Sequence, residues 1–245
     1  MNALNNINCG VATYNFPVPG WNQYKKQTFD MTPKGIVTHN TYNSASAKSE
    51  ASYMVGNSNW TSFHSSVDEI AVYESIPFNK NAWHCGATYG NRNYIGIEIA
   101  RSTGSAEQFA QAEKNASKYI AGILRKYNWG LNYVQTHQKQ SGKYCPHRTL
   151  DLGWQRFLNM VNTELRGGDV AVNLEKPKSA GYSVKTKTPG DVLNIRSGPG
   201  AGYKKIGTYR DGSVIYVESV HHTLEGTWYK IPRVGYVSAK FCVGM

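Results

Sequence analysis

Cysteine is scarce in this chain. Cys9, Cys85, Cys145 and Cys242 are spread over 245 residues with no C-x-x-C pair among them. So few, so far apart, argue against a disulfide framework and read as free thiols, with at most one used as a ligand. Long apolar runs are missing too. Apolar residues make up 40% of the chain, enough for a globular core, but no run approaches the ~20 residues that cross a bilayer. No membrane insertion is expected. The first nine residues have neither a basic n-region nor an apolar h-region, so no signal peptide is read there. Synthesis in a cytoplasm follows, and action outside it would need another route of release. Acid is the third shortage: 16 Asp and Glu stand against 27 Lys and Arg, a net charge of +11. Residues 1–165 carry 15 basic and 10 acidic side chains and residues 166–245 carry 12 and 6, so the smaller part is the more basic per residue. Such a balance seeks an anionic polymer, whether nucleic acid, a membrane surface or a bacterial wall rich in acidic polymers. No groove-reading motif or base-stacking platform of the usual type is present, which speaks against nucleic acid.

The chain changes character near Arg166. Before it, apolar patterning alternates between strand and helix. Lys34–Thr41 reads as a short buried strand with His39 at its C-terminal end, where ligand sites gather in open α/β sheets. A hydrogen-bonded structural histidine is the plainer reading there. Residues 44–56 read as a helix capped by Ser44 or Ser46. Residues 62–68 and 70–76 read as two strands around a turn at Asp68-Glu69, with Trp83-His84-Cys85-Gly86 in a loop after them. Ile95–Ala100 alternates, with Ile95, Ile97 and Ile99 on one face and Gly96, Glu98 and Ala100 on the other. Glu98 is then either a solvent-facing acid or an acid pointing into a site, its small neighbours leaving room for a substrate. Ser105-Ala-Glu-Gln108 matches a capping box and opens a long amphipathic helix ending near Asn128-Trp129-Gly130. A last helix is expected near 151–165. Residues 166–181, with Gly, Pro and charge but little periodicity, read as a linker. Residues 182–245 hold short strand-like runs between turns, the pattern of a small all-β barrel, with His221-His222 in a surface loop.

The chemistry concentrates in Thr136–Arg148, T-H-Q-K-Q-S-G-K-Y-C-P-H-R. Imidazole nitrogen and thiolate sulfur are preferred zinc ligands, and His137 and Cys145 stand eight residues apart with the turn dipeptide Ser141-Gly142 between them. Pro146 stiffens the backbone after Cys145. Two ligands do not make a site, so a third must come from elsewhere. The alternative is a polar loop with a buried cysteine. His147 competes with Cys145 on spacing, although Pro146 between them makes joint ligation awkward.

Several landmarks in order, G-I-V-T-H-N-T (35–41), S-F-H-S-S-V-D (62–68), N-A-W-H-C-G (81–86), N-Y-I-G-I-E-I (93–99), A-E-K-N-A (112–116) and H-Q-K-Q-S-G-K-Y-C-P-H-R (137–148), resemble the type 2 N-acetylmuramoyl-L-alanine amidases. These are zinc enzymes of the peptidoglycan-recognition-protein fold, common in phage endolysins and in sporulation or prophage autolysins of Gram-positive bacteria. The resemblance implies an α/β fold, a mixed β-sheet flanked by helices, for residues 1–165. It implies one zinc ion held by His39, His137 and Cys145, and catalytic roles for Glu98 and Lys143. Residues 182–245 resemble a bacterial Src-homology-3-like barrel through L-N-I-R-S-G-P-G (193–200), Y-K-K-I-G-T (203–208), W-Y-K-I and G-Y-V-S, a module that usually holds wall hydrolases on peptidoglycan. One departure stands out. Some members place an active-site tyrosine just before the histidine of the second strand, where this chain has Phe63. A phenyl ring cannot donate a hydrogen bond, and Glu98 is the group that members with a strand glutamate use instead.

The implied reaction is hydrolysis of the amide between the lactyl group of N-acetylmuramic acid and L-alanine by zinc-activated water. Glu98 would move the proton, with zinc and the Lys143 ammonium stabilising the oxyanion. His64, Trp83 and His84 are candidates for the substrate groove. The enzyme would be made in the host cytoplasm and act on the bacterial cell wall. Two rivals share the landmarks: a zinc endopeptidase of the stem peptide, and a non-catalytic peptidoglycan binder. Retention of Cys145 with both histidines favours the enzyme.

Overall fold

The computed structural model describes residues 4–167, 178–223 and 226–244. The chain forms two compact units, Met1–Leu152 with Met160–Leu165, and Gly153–Asn159 with Arg166–Met245. No described helix is long and apolar enough to cross a membrane.

The first unit is built on six strands: β1 (Thr13–Asn15), β2 (Ile36–Asn40), β3 (Ser65–Val67), β4 (Val72–Glu74), β5 (Ile95–Ile99) and β6 (Val134–Thr136). They form one mixed sheet in the order β1-β4-β3-β5-β2-β6. The β3–β4 hairpin is antiparallel, and β2 runs parallel to both β5 and β6. Its helices are α1 (Gln23–Lys26), α2 (Ala47–Gly56), α3 (Thr88–Asn93), α4 (Ala106–Tyr127), α5 (His137–Ser141) and α6 (His147–Leu152), and α7 (Trp154–Leu165) divides between the two units after Asn159. Mixed sheet and flanking helices are as expected. Strand β1, in a segment with no alternation, was not legible.

Two N-caps form as the sequence suggests: Ser46 accepts from Ser49 N–H and Ser105 from Gln108 N–H. Helix α4 ends on Asn128 in the left-handed conformation, which asparagine tolerates at a C-terminus. The single helix expected near 151–165 is instead two. Gly153 between α6 and α7 has φ +109, a conformation that breaks helical geometry and that glycine adopts at little cost.

Strand parity sets the two faces of the sheet. Ile95, Ile97 and Ile99 are fully buried, and Ser65, opposite Ile97, bonds the Tyr119 hydroxyl of α4 at 2.8 Å. Helix α4 therefore covers the isoleucine face. His39 pairs with Glu98 and Val37 with Gly96 across β2 and β5, so these four share the opposite face. Helix α2 lies on that side, its Ala47 bonded to Ser66 and Asp68.

The second unit contains β7 (Lys178–Thr186), β8 (Val192–Arg196), β9 (Lys205–Arg210), β10 (Val214–Thr223), β11 (Gly226–Ile231), β12 (Gly235–Ser238) and β13 (Cys242–Gly244). Its sheet order is β13-β7-β10-β11-β12-β8-β9. Val184, Leu193, Ile195, Ile215, Val217, Ile231 and Val237 make its apolar core. The sheet is all-β as expected, but two details differ. Strand β7 begins at Lys178, inside the stretch read as linker, while residues 168–177 of that stretch lie outside the described residues. His221 and His222 sit on β10 rather than in a loop, paired with Trp228 and Thr227 of β11.

Candidate active site

Three elements deliver three donors to one point. His39 is the fourth residue of β2, at its C-terminal end. His137 opens α5 directly after β6, the neighbour of β2, and Thr136 caps that helix by accepting from Lys139 N–H at 3.1 Å. Gly142, at φ +82, turns the chain back, and the Gln138 N–H donates to the Cys145 carbonyl at 3.0 Å, closing the loop. Asn40, next to His39, fixes the far side. Its Oδ1 accepts from the N–H groups of Arg148 and Thr149, and its own N–H points at Cys145 Sγ at 3.5 Å. The result is a buried cluster in which ligand atoms of His39, His137 and Cys145 lie within 4.8 Å of one another. His147 does not join them. It stacks edge-on against Tyr42, with ring centroids 4.5 Å apart.

Proton accounting shows what the cluster can hold. A carbonyl oxygen only accepts, so His84 Nε2, 3.1 Å from the Tyr94 carbonyl, carries the ring proton. Burial pushes His84 down to about 3 and His39 well below its ordinary value, so both rings are neutral near pH 7. His84 Nδ1 is then an acceptor, and His39 Nε2, 2.9 Å away, must donate to it. His39 Nδ1 is left as a bare lone pair, 3.0 Å from His137 Nδ1 and 3.9 Å from Cys145 Sγ. His137 is also neutral, lowered first by burial and then by Lys143. A neutral imidazole has one N–H; with that proton on Nε2, Nδ1 of His137 is a second lone pair. Two imidazole lone pairs face each other beside a sulfur, which a cation resolves. Ligands of a tetrahedral zinc, at 2.0–2.3 Å from the metal, stand ~3.3–3.6 Å apart, close to the spacing found here. The residues fit zinc.

Glu98 lies across the strand pair from His39, and its Oε2 is enclosed without a hydrogen-bond partner among the described residues. Burial, with a smaller contribution from Glu50 and against the pull of Lys143, raises its carboxyl to about 8. The same burial, with Glu98 next, raises the Cys145 thiol to about 11. Both values describe a cluster without a cation's charge, which would pull each group down.

The groove beside the cluster has a volume of about 720 Å³ and is lined by Trp60, Trp83, His84, His137 and Lys143 among others. Trp83, His84 and Lys143 thus line this groove, and His84 also carries the tautomer-fixing bond just described. The space that Gly96 leaves beside Glu98 goes to the His84 ring, not to substrate: a Cβ on Gly96 would lie 2.6 Å from its Cγ. His64 does not line the groove. It is fully buried, accepts from Gly96 N–H at 2.9 Å and bonds the Lys80 carbonyl at 2.9 Å, a strut between β5 and the loop after β4.

Sequence reasoning missed the groove's supports. Asn91 of α3 accepts from the N–H groups of His84 and Cys85, both at 2.9 Å. Trp60, 52% exposed, meets Trp83 edge-on at 6.1 Å; a lone tryptophan in the polar run N-S-N-W-T was the available signal. Lys26 is fully buried with no acid beside it. Its ammonium holds Asn57 Oδ1 (2.9 Å), Asn59 Oδ1 (3.0 Å) and the Thr61 carbonyl (2.9 Å). Its own carbonyl accepts from Ser62 Oγ, which in turn accepts from Trp83 N–H. Burial lowers Lys26 to about 8, the cost of caging an ammonium among neutral oxygens. Nothing in Q-Y-K-K separates it from Lys25. Lys26→Met should orphan those oxygens, lower stability by about 1–3 kcal/mol, and raise KM several-fold while kcat stays within about twofold. Thermal unfolding and steady-state kinetics on soluble wall fragments read both.

The family model for N-acetylmuramoyl-L-alanine amidase matches residues 29–148. The N-acetylmuramoyl-L-alanine amidase CwlA of a Bacillus species is 44% identical over 194 residues, covering 78% of this chain and 71% of that protein. The chain belongs to the N-acetylmuramoyl-L-alanine amidase family. XlyB of Bacillus subtilis, an amidase of the same name, is 38% identical over 214 residues; the match covers 85% of this chain but just under two thirds, 65%, of XlyB. Among solved structures, the catalytic domain of PlyG superposes with a TM-score of 0.61 at 39% identity, covering 63% of this chain and 96% of that domain.

Proposed function

We propose that this amidase hydrolyses the amide between N-acetylmuramic acid and L-alanine in peptidoglycan, with one zinc ion as cofactor. The observation that carries the reading is the cluster of His39, His137 and Cys145 donor atoms within 4.8 Å of one another, across the strand pair from Glu98 and beside the groove that His137 lines. Zinc held by His39, His137 and Cys145 would supply Lewis-acid activation of water at neutral pH. The chain's own residues do the rest. His84 fixes the His39 tautomer and so keeps Nδ1 free. Glu98, whose carboxyl a bound cation would hold as the carboxylate, takes a proton from the attacking water and returns it to the leaving amine. Lys143, exposed at the groove, places its ammonium toward the developing oxyanion. Trp60 and Trp83 wall the groove and limit water. Phe63, which is buried, offers no proton, and that leaves the acid–base role to Glu98.

The second unit, in this reading, is a Src-homology-3-like wall anchor: the cutting residues lie within 1–165, and the sheet that begins with β7 at Lys178 holds the wall. Its positive charge suits a wall carrying acidic polymers. The chain then acts on the bacterial cell wall as an endolysin or autolysin. Digesting purified walls tests the reaction. The expected result is new alanine amino termini with no new reducing sugar ends. Amines from residues within the stem peptide would mean an endopeptidase, and no new ends at all a binder.

A further inference from the structure

The second unit has a cavity of about 440 Å³ whose lining includes Asn194, Arg196, Trp228, Ser238 and Lys240. Its floor is a single row across three strands. Trp228 pairs with Ser238 between β11 and β12. Arg196 pairs with Tyr236 between β8 and β12, and two residues further along these antiparallel strands Asn194 comes beside Ser238. Their chain neighbours Leu193, Ile195, Val237 and Tyr229 belong to or pack on the apolar core, so Asn194, Ser238 and Trp228 point to the opposite face.

That face holds an anomaly. Trp228 is only 5% exposed although it points away from the core, and its indole N–H has no hydrogen-bond partner among the described residues. Asn194 Oδ1, at the other end of the row, is also enclosed and unpartnered. A buried polar atom left alone costs about 1–3 kcal/mol, and here a donor and an acceptor are left alone on two residues that line one cavity. Two strand spacings separate their strands, ~10 Å, the span of about three residues of extended peptide. A peptide backbone supplies both complements: a carbonyl for the indole and an N–H for the amide oxygen. Arg196 and Lys240 outnumber Asp191 at the same cavity, which suits a free carboxylate.

We infer that this row is a binding site for a short peptide bearing a free carboxylate, taken from the peptide portion of the wall. The inference rests on the reading of the second unit as a wall anchor, and the experiment separates the two. The full-length, ¹⁵N-labelled protein is titrated with separately purified peptide and glycan fractions of one wall. The Trp228 indole signal is assigned through Trp228→Phe. The expected result is movement of that signal with the peptide fraction and not with the glycan. Trp228→Phe and Asn194→Ala should each lose about threefold to tenfold in retention on intact walls, as one hydrogen bond predicts, with melting temperatures close to that of the parent. If other signals from residues 182–245 move while the indole stays still, the anchor stands and this site is overturned. Movement with glycan alone overturns the peptide ligand. If no signal from 182–245 responds to either fraction and both variants hold walls as well as the parent, the anchor reading itself fails.

Discussion

Cys145→Ala should strip the protein of zinc and of activity together. Removing a thiolate leaves two neutral imidazoles, too few for a closed or a catalytic zinc site. The loss should exceed the ~10–100-fold cost of disturbing a partner behind a ligand. His84→Ala supplies that smaller comparison, because it removes the acceptor for His39 Nε2 without removing a ligand atom. The expected order of zinc affinity is parent, then His84→Ala, then Cys145→Ala, with His39→Ala and His137→Ala beside the last. Chelation should silence the parent and zinc should restore it. Acidity gives a second handle. The metal-free Cys145 thiol sits up at about 11 and both imidazoles are depressed below 6.5. Above about pH 8, then, zinc uptake displaces one proton, from the thiol, and below it the Glu98 proton as well. Raising pH removes these competitors, so apparent affinity should climb about tenfold per pH unit above pH 8 and more steeply below it. Competition with a chelator over about pH 6 to 9 measures the slope. Full zinc occupancy in Cys145→Ala, or a flat slope in the parent, would take Cys145 out of the ligand set.

The site was legible to the extent that its chemistry sits in residue types with few other uses. A histidine at a strand end, a histidine and cysteine flanking a turn, and an acid among small residues are each ambiguous, and their order along the chain sharpened them. What the sequence could not display is partnership across distance. His84 and His64 occupy similar loop and strand-edge positions in the sequence. One touches His39 and the other is an interior strut, because Gly96 carries no side chain and admits one ring above the sheet while its N–H binds the other. Lys26 is the same lesson in another form. Its caging depends on three oxygens more than thirty residues away, so no local pattern marks it. Strand β1 was missed because it pairs only at the sheet edge and needs no alternation, and the break at Gly153 because apolar spacing runs through it unchanged.

Glu98→Gln should separate catalysis from stability in opposite directions. The amide keeps the shape of a protonated carboxyl and cannot accept or return a proton. Turnover on soluble wall fragments should fall on the order of 10²–10⁴-fold, the usual worth of general acid–base help, while zinc content and wall retention stay at parental levels. Stability should move the other way in the metal-free protein. The folded carboxyl titrates at about 8 against an ordinary 4.5. Between those values the unfolded chain has released its proton and the folded chain retains it, so parental stability declines as pH rises through that window. The glutamine has no such penalty. At pH 7 it should be the more stable by about 1–3 kcal/mol, a figure discounted for relaxation around the carboxyl, and the gap should close as pH falls toward 4.5. With zinc bound, the cation favours the carboxylate and the difference should shrink or reverse. Chemical denaturation of both proteins at pH 5 and pH 7, with and without zinc, gives the four numbers. Near-parental turnover in Glu98→Gln would assign the proton to another group. Slow turnover with no pH-dependent stability gap would mean that the Glu98 carboxyl is solvated in the folded protein, and that its role owes nothing to burial.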